Sequence, residues 1–284
     1  INGYKDIFLD NNATLSSGED YYVTGTTFFQ IYGLYCFDRN LRSILLKALL
    51  QAEQNICTKV SYRFSEVYTS EFSHLNVNNF SKTNLPKATE LVSKLSNVTQ
   101  RNARNTMFSH YLTTHQDLPL WVLVTKLTFG EITNFYKLIT PNIQERILDD
   151  INKEYISEYR ATITAPTSTL IPIFSEILDV LVGYRNVCAH GDRLYNHRIL
   201  GTKKTIKKLT YYFVSNPKGS ESSVYGLLIS LRLLLSRFDY KRLIDALIME
   251  LLLLSKDLPT MQFNQVLAKM ELTLQWKQTL ERLR

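Results

Sequence analysis

Cysteine is scarce and odd in number. Cys36, Cys57 and Cys188 are the only three in 284 residues, and no two stand at metal-ligand spacing. A disulfide framework and a zinc ribbon are thereby disfavoured, and a reducing cytoplasm fits better. Glycine (10) and proline (7) are scarce too, together about 6% of the chain against roughly 12% in average usage. A sheet protein with many tight turns needs more of both, so the fold class reads as all-α. Long apolar runs are missing as well. Leu118–Val124 is stopped by Lys126 and Ala246–Leu254 is interrupted by Glu250, so no stretch approaches the roughly 18 residues of a membrane span. No secretory signal opens the chain, which starts at Ile1 without methionine, as a fragment or a processed form would.

Several chemistries lack their residues. The five histidines include no His-Glu-x-x-His pair, and no glycine-rich loop matches a nucleotide cradle. Nothing resembles a nucleophile elbow. Asp149 and Asp150 are adjacent, leave a helix in different directions and read as a solvated face rather than metal ligands. Trp121 and Trp276 fall on apolar helical faces and read as core or interface. Neither a metal nor a cofactor is expected.

What is present is a concentrated positive charge. The chain carries 33 basic and 26 acidic residues, a net +7. Between Val182 and Gly219 stand Arg185, Arg193, Arg198, Lys203, Lys204, Lys207, Lys208 and Lys218 against Asp192 alone, so this window holds the whole excess. Such a clustered field attracts phosphate polymers or anionic lipid. Arg193, Arg198, Lys203, Lys204, Lys207 and Lys208 are the expected contacts for such a partner, RNA among the candidates. No membrane partner is expected.

The periodicity predicts helices throughout. Asp38 is the expected N-cap of a long helix with an apolar stripe at Leu41, Leu45, Ala48, Leu49, Ala52, Ile56, Val60 and Phe64. Ser73–Asn84 reads as a loop. Pro86 opens a helix towards His110, and Pro119 opens Leu120–Phe129, ending at Gly130. Two more helices are expected at Glu131–Ile139 and Ile143–Tyr155. Pro166 and Pro172 permit a helix only after them, and Gly191 stops it. Asn216–Ser223 is the candidate linker, followed by helices within Val224–Arg237, Tyr240–Lys256 and Phe263–Leu283. The expected organisation is a helical domain over 1–215, its N-terminus truncated, with a C-terminal helical extension over 216–284 packed on it.

One segment stands apart. Tyr184-Arg185-Asn186-Val187-Cys188-Ala189-His190 sets a permanent cation, an amide and an imidazole within six positions at a predicted helix end. Asn186 and His190 are one turn apart and share a face. Arg185 and His190 differ by about 140° on an ideal helix. They converge either because arginine is long and the helix ends near His190, or across a symmetric pair of helices. Phosphodiester chemistry uses these residue types. Histidine exchanges a proton near neutral pH, and arginine holds two phosphate oxygens in a planar fork. RNA supplies its own nucleophile, the 2′-hydroxyl.

The longer string, Arg185-Asn186-x-x-Ala189-His190 followed by Arg193-Leu194-Tyr195-Asn196, resembles the signature of the Abi family. These are bacterial abortive-infection proteins of the AbiD/AbiF type, within the HEPN superfamily of helical ribonucleases. Phe37-Asp38-Arg39-Asn40-Leu41-Arg42 is similar to that family's Phe-Asp-Arg-x-Leu-Arg helix opening, and Pro119-Leu120-Trp121 to its Pro-Leu-Trp helix. Asn2-Gly3-Tyr4 is similar, in altered form, to the tail of its N-terminal region, whose arginine is not reproduced. The resemblance implies a HEPN-like helical bundle with additional C-terminal helices. It also implies a metal-independent endoribonuclease, a toxin of phage defence acting in the cytoplasm, whose Arg…His sets meet in a homodimer. In that reading Arg185, Asn186 and His190 are catalytic, and a regulatory small RNA or an antitoxin holds the enzyme in check. The alternative is a catalytically inactive HEPN-like module that binds RNA or protein.

Overall fold

A computed structural model describes residues 2–17, 19–163, 165–199 and 223–284. Lys203, Lys204, Lys207, Lys208, Lys218, the 215/216 boundary and all of the expected linker except Ser223 lie outside the described residues. Among those residues the protein is all-helical, with two isolated antiparallel bridges, Leu9 to Tyr22 and Phe80 to Ile139, and no strand. The described residues fall into two compact units. One comprises 2–50, 183–199 and 223–284, and the other 51–182.

The longest element is α2, Phe28–Val67, which follows the short α1 at Asn11–Ser17. All eight stripe residues from Leu41 to Phe64 are buried, as the periodicity requires. The helix starts ten residues before Asp38, however. Its first turn is tied by Gln30, whose side chain accepts the Thr27 backbone N–H at 3.1 Å. Asp38 is therefore no cap but an interior, fully buried carboxylate.

In the first unit α2 runs antiparallel to a C-terminal helix, Arg237–Asp257. Gly33 lies against Asp257, whose Cβ would stand 3.4 Å from any added methyl, and Asn40 donates to Glu250 at 3.0 Å. The C-terminal region resolves into four helices where two or three were expected: Val224–Arg232, Arg237–Asp257, Thr260–Met270 and Trp276–Leu283. The first is buried on every side from Val224 to Leu231, as befits a helix apolar all round. Ser223 caps it, its hydroxyl accepting the Gly226 N–H. Trp276 is buried, as expected of a core residue.

The second unit packs Leu85–Asn102, Phe129–Leu138 and Pro141–Tyr159 around a cluster of Phe64, Phe80 and Phe135, with ring centroids 5.0–5.7 Å apart. Pro86 does occupy the first turn of its helix, but that helix ends at Asn102, and a separate turn spans Thr106–His110. The helix after Pro119 is shorter than expected, Leu120–Leu123. Gly130 does not end it. Thr128 and Glu131 form a reciprocal capping box that starts a new helix at Phe129 and places Gly130 in its first turn. Asp150 receives a two-pronged ion pair from Arg63 at 2.6 Å, and Asp149 accepts from Thr167, so both carboxylates are engaged within the fold.

Pro172 lies inside the helix Thr167–His190 rather than before it. In the second turn a proline forfeits a single intrahelical hydrogen bond, so the helix runs through. Contrary to the sequence expectation, this one helix is long and apolar enough to cross a membrane. Its apolar side chains Leu170, Phe174, Leu178, Leu181 and Tyr184 are buried in the folded chain, which a core helix does equally well.

Candidate active site

The helix Thr167–His190 delivers the motif at its C-terminal end, within the first unit. Gly191 follows with φ +78°, a left-handed conformation that glycine adopts without Cβ strain. The Asp192 N–H returns to the Val187 carbonyl at 3.2 Å, closing the helix end in a Schellman arrangement. Gly191 is thus the stop that its sequence position predicts. Asn186, Ala189 and His190 are exposed on the final turns, while Arg185 is half-buried. Because the helix stays regular through His190, Arg185 and His190 leave it about 140° apart. Cys188, between them, is buried, and burial pushes its thiol up to about 12.

The chain beyond Gly191 is held by a buried polar knot. The Asp38 carboxylate accepts the backbone N–H of Tyr195 at 2.7 Å, that of Leu194 at 3.1 Å and the Tyr4 hydroxyl at 2.8 Å. One turn along, Arg42 forms an ion pair with Asp38 and donates to the Asp192 carbonyl at 3.0 Å. Burial works against the charge on Arg42, but the Tyr4 hydroxyl and the Asp38 carboxylate outweigh it and hold the guanidinium above its ordinary pKa. Burial also pushes the Tyr4 phenol up to about 12. A desolvated carboxylate is costly unless every lone pair finds a donor, and Asp38 meets that condition. Phe37, Leu41, Leu194 and Tyr195 seal the knot with buried side chains.

Tyr184 ties the same segment from the helix side. Its hydroxyl donates to the His197 carbonyl at 3.1 Å and its ring meets the His197 ring edge-on at 5.5 Å. Sequence pattern does not mark Asp38, Arg42 and Tyr4 as one cluster. The i,i+4 acid–base spacing of the first two is the available signal, but their partners lie far along the chain.

Two of the expected RNA contacts are described, and each has an intramolecular partner. Arg193 bonds the Gly3 carbonyl and pairs with Asp6 at 3.3 Å, its guanidinium lying over the Tyr195 ring. Arg198 pairs with Glu271 at 3.1 Å.

A family model described as Abi-like protein matches residues 1–196. The chain belongs to the Abi-like family. The match takes in every part of the knot, from Tyr4 through Asp38 and Arg42 to Leu194 and Tyr195, and closes at Asn196, directly after it. No curated protein and no solved structure matches the chain. Membership in the Abi-like family links the chain to abortive infection, a form of phage defence.

Proposed function

We propose that this Abi-like protein is a HEPN-type endoribonuclease that cleaves RNA without a metal, as a toxin of abortive infection in the bacterial cytoplasm. The observation that carries the reading is the exposed Asn186–His190 face at a helix end whose continuation is pinned by the Asp38 carboxylate. His190 takes the proton from a ribose 2′-hydroxyl or returns one to the departing oxygen. The 2′-oxygen then bonds to phosphorus, the bond to the 5′-oxygen breaks, and the products are a 2′,3′-cyclic phosphate and a 5′-hydroxyl. Arg185 binds the scissile phosphate and stabilises its growing charge. Asn186 hydrogen-bonds substrate or orients His190. A second copy of the chain brings its own Arg185 across, which answers the roughly 140° divergence within one helix. Arg193, Arg198 and the lysines at 203, 204, 207 and 208 guide RNA, and a regulatory small RNA or an antitoxin occupies the same basic ground.

Purified protein incubated with single-stranded RNA in EDTA should cut it, leaving cyclic-phosphate ends. His190→Ala should slow cleavage by about 10²–10⁴-fold, the usual worth of a proton-transfer group. Undiminished cleavage by that variant would end the assignment. The ion pairs of Arg193 and Arg198 favour a second reading, a HEPN-like module that binds RNA or protein and does not cut. Tight RNA binding retained by Arg185→Ala, beside a wild type that cuts no RNA, is its signature.

A further inference from the structure

A second candidate site lies in the unit formed by residues 51–182, built partly from the Pro119-Leu120-Trp121 motif that the cleavage chemistry leaves unused. A cleft of about 350 Å³ opens between Tyr68, Ser73, His74, Asp117, Pro119 and Trp121. That volume falls within the range of small-molecule sites. His74 lines it yet is only 1% exposed, and its Nε2 has no hydrogen-bond partner among the described residues. A buried ring nitrogen left unpaired costs about 1–3 kcal/mol, so such an atom calls for a ligand or a structural reason.

The chemistry of the lining narrows the ligand. Burial holds the His74 imidazole neutral, with its pKa down at about 4, so near neutral pH it offers one N–H and one lone pair. Asp117 accepts the Phe72 N–H through Oδ1 at 2.7 Å, and its Oδ2 has no hydrogen-bond partner among the described residues. No lysine or arginine lines the cleft, and Asp117 stands in it, so a phosphate there would meet hydroxyls and a carboxylate but no cation. At the rim Trp121 is 50% exposed, where core burial was one sequence expectation. Tyr111 meets the indole edge-on at 5.5 Å and 88° and fixes its plane. Tyr111 opens a one-turn π-helix, Tyr111–His115, an irregularity frequent at functional sites.

We infer that this cleft binds a planar heteroaromatic ligand, a guanine-type nucleobase, stacked on Trp121 with its N–H edge towards Asp117 and a polar edge atom on His74. A carboxylate accepts adjacent N–H donors well, an indole face stacks any base, and the want of a cation admits a nucleoside while giving a nucleotide's phosphate no gain. This inference does not depend on the ribonuclease reading.

Calorimetric titration with guanosine, uridine and guanosine 5′-monophosphate tests it on the full chain. Guanosine should bind at least about ten-fold more tightly than uridine, roughly 1.4 kcal/mol. The monophosphate should bind no better than guanosine. His74→Phe and Trp121→Ala should each weaken guanosine about ten-fold, and Trp121→Phe, which keeps a stacking ring, should restore most of it. Trp121 is half exposed, so these last two variants separate loss of binding from loss of fold. Absence of guanosine binding at millimolar concentration would overturn the inference, as would binding indifferent to His74 and Trp121. A monophosphate that binds much more tightly than the nucleoside would overturn it too, because the ligand would then sit on a basic surface elsewhere.

Discussion

The Asp38 carboxylate accepts the Tyr195 backbone N–H at 2.7 Å across 157 positions of sequence, from inside the long second helix to the segment just past His190. That single relationship joins two distant segments of the stretch that the family match spans. Asp38→Ala strands a buried guanidinium on Arg42 and two N–H groups, and should lower unfolding stability by about 3–5 kcal/mol in urea titration. The double variant Asp38→Leu with Arg42→Met should recover only part of that, because the Leu194 and Tyr195 N–H groups stay unpaired. Full recovery of both stability and RNA cleavage would mean the knot does not position the segment after His190.

The three cysteines should differ in reactivity. Cys57 and Cys188 are buried, and burial pushes both thiols up to about 12, where almost no thiolate exists at working pH. Cys36 is only half-buried. Alkylation of the native protein with iodoacetamide, followed by peptide mapping, should label Cys36 first and the other two only after unfolding. Early labelling of Cys188 would place the motif helix end in an open state.

Some of the architecture is legible in the sequence because it rests on local pattern. The stripe from Leu41 to Phe64 and the stop at Gly191 follow from helical period and from the left-handed preference of glycine. Other features are hidden because their causes are distant. Asp38 ahead of an apolar stripe has the local look of an N-cap, and only contacts with residues 4, 194 and 195 make it a buried anchor. The stretch before it is apolar at nearly every position, which hides the helical spacing of Ile31, Leu34 and Phe37 that continues the buried stripe back towards Phe28. Trp121 follows a proline in a helix of four residues, too short for a face to be read from spacing. The chemistry of Arg185, Asn186 and His190 is legible as residue types, and their exposure is not.

The basic window should govern RNA affinity through salt. Each lysine that pairs a phosphate contributes about 0.7 to the slope of log affinity against log salt on a single strand. Replacing Lys203, Lys204, Lys207 and Lys208 with glutamine should make that slope shallower in proportion to the number of phosphates left without a lysine, as read by filter binding across a salt series. Arg193 and Arg198, already paired with Asp6 and Glu271, should change it less. An unaltered slope in the lysine variant would locate the RNA elsewhere.

Acid should expose the buried imidazole of His74. In the unfolded chain this histidine takes a proton near its ordinary value of about 6.5, whereas in the folded protein burial, partly opposed by the Asp117 carboxylate, delays protonation to about pH 4. Between those values the unfolded state binds the extra proton, so stability is fully present above about pH 6.5 and drains away as pH falls towards 4. The shift corresponds to about 3 kcal/mol over that interval. Urea midpoints measured at several pH values should therefore decline on acidification, and His74→Phe should flatten this part of the profile by introducing a side chain with no proton to take. If the variant and the parent decline in parallel, the titrating group is not His74, and the neutral imidazole assigned to the cleft loses its support.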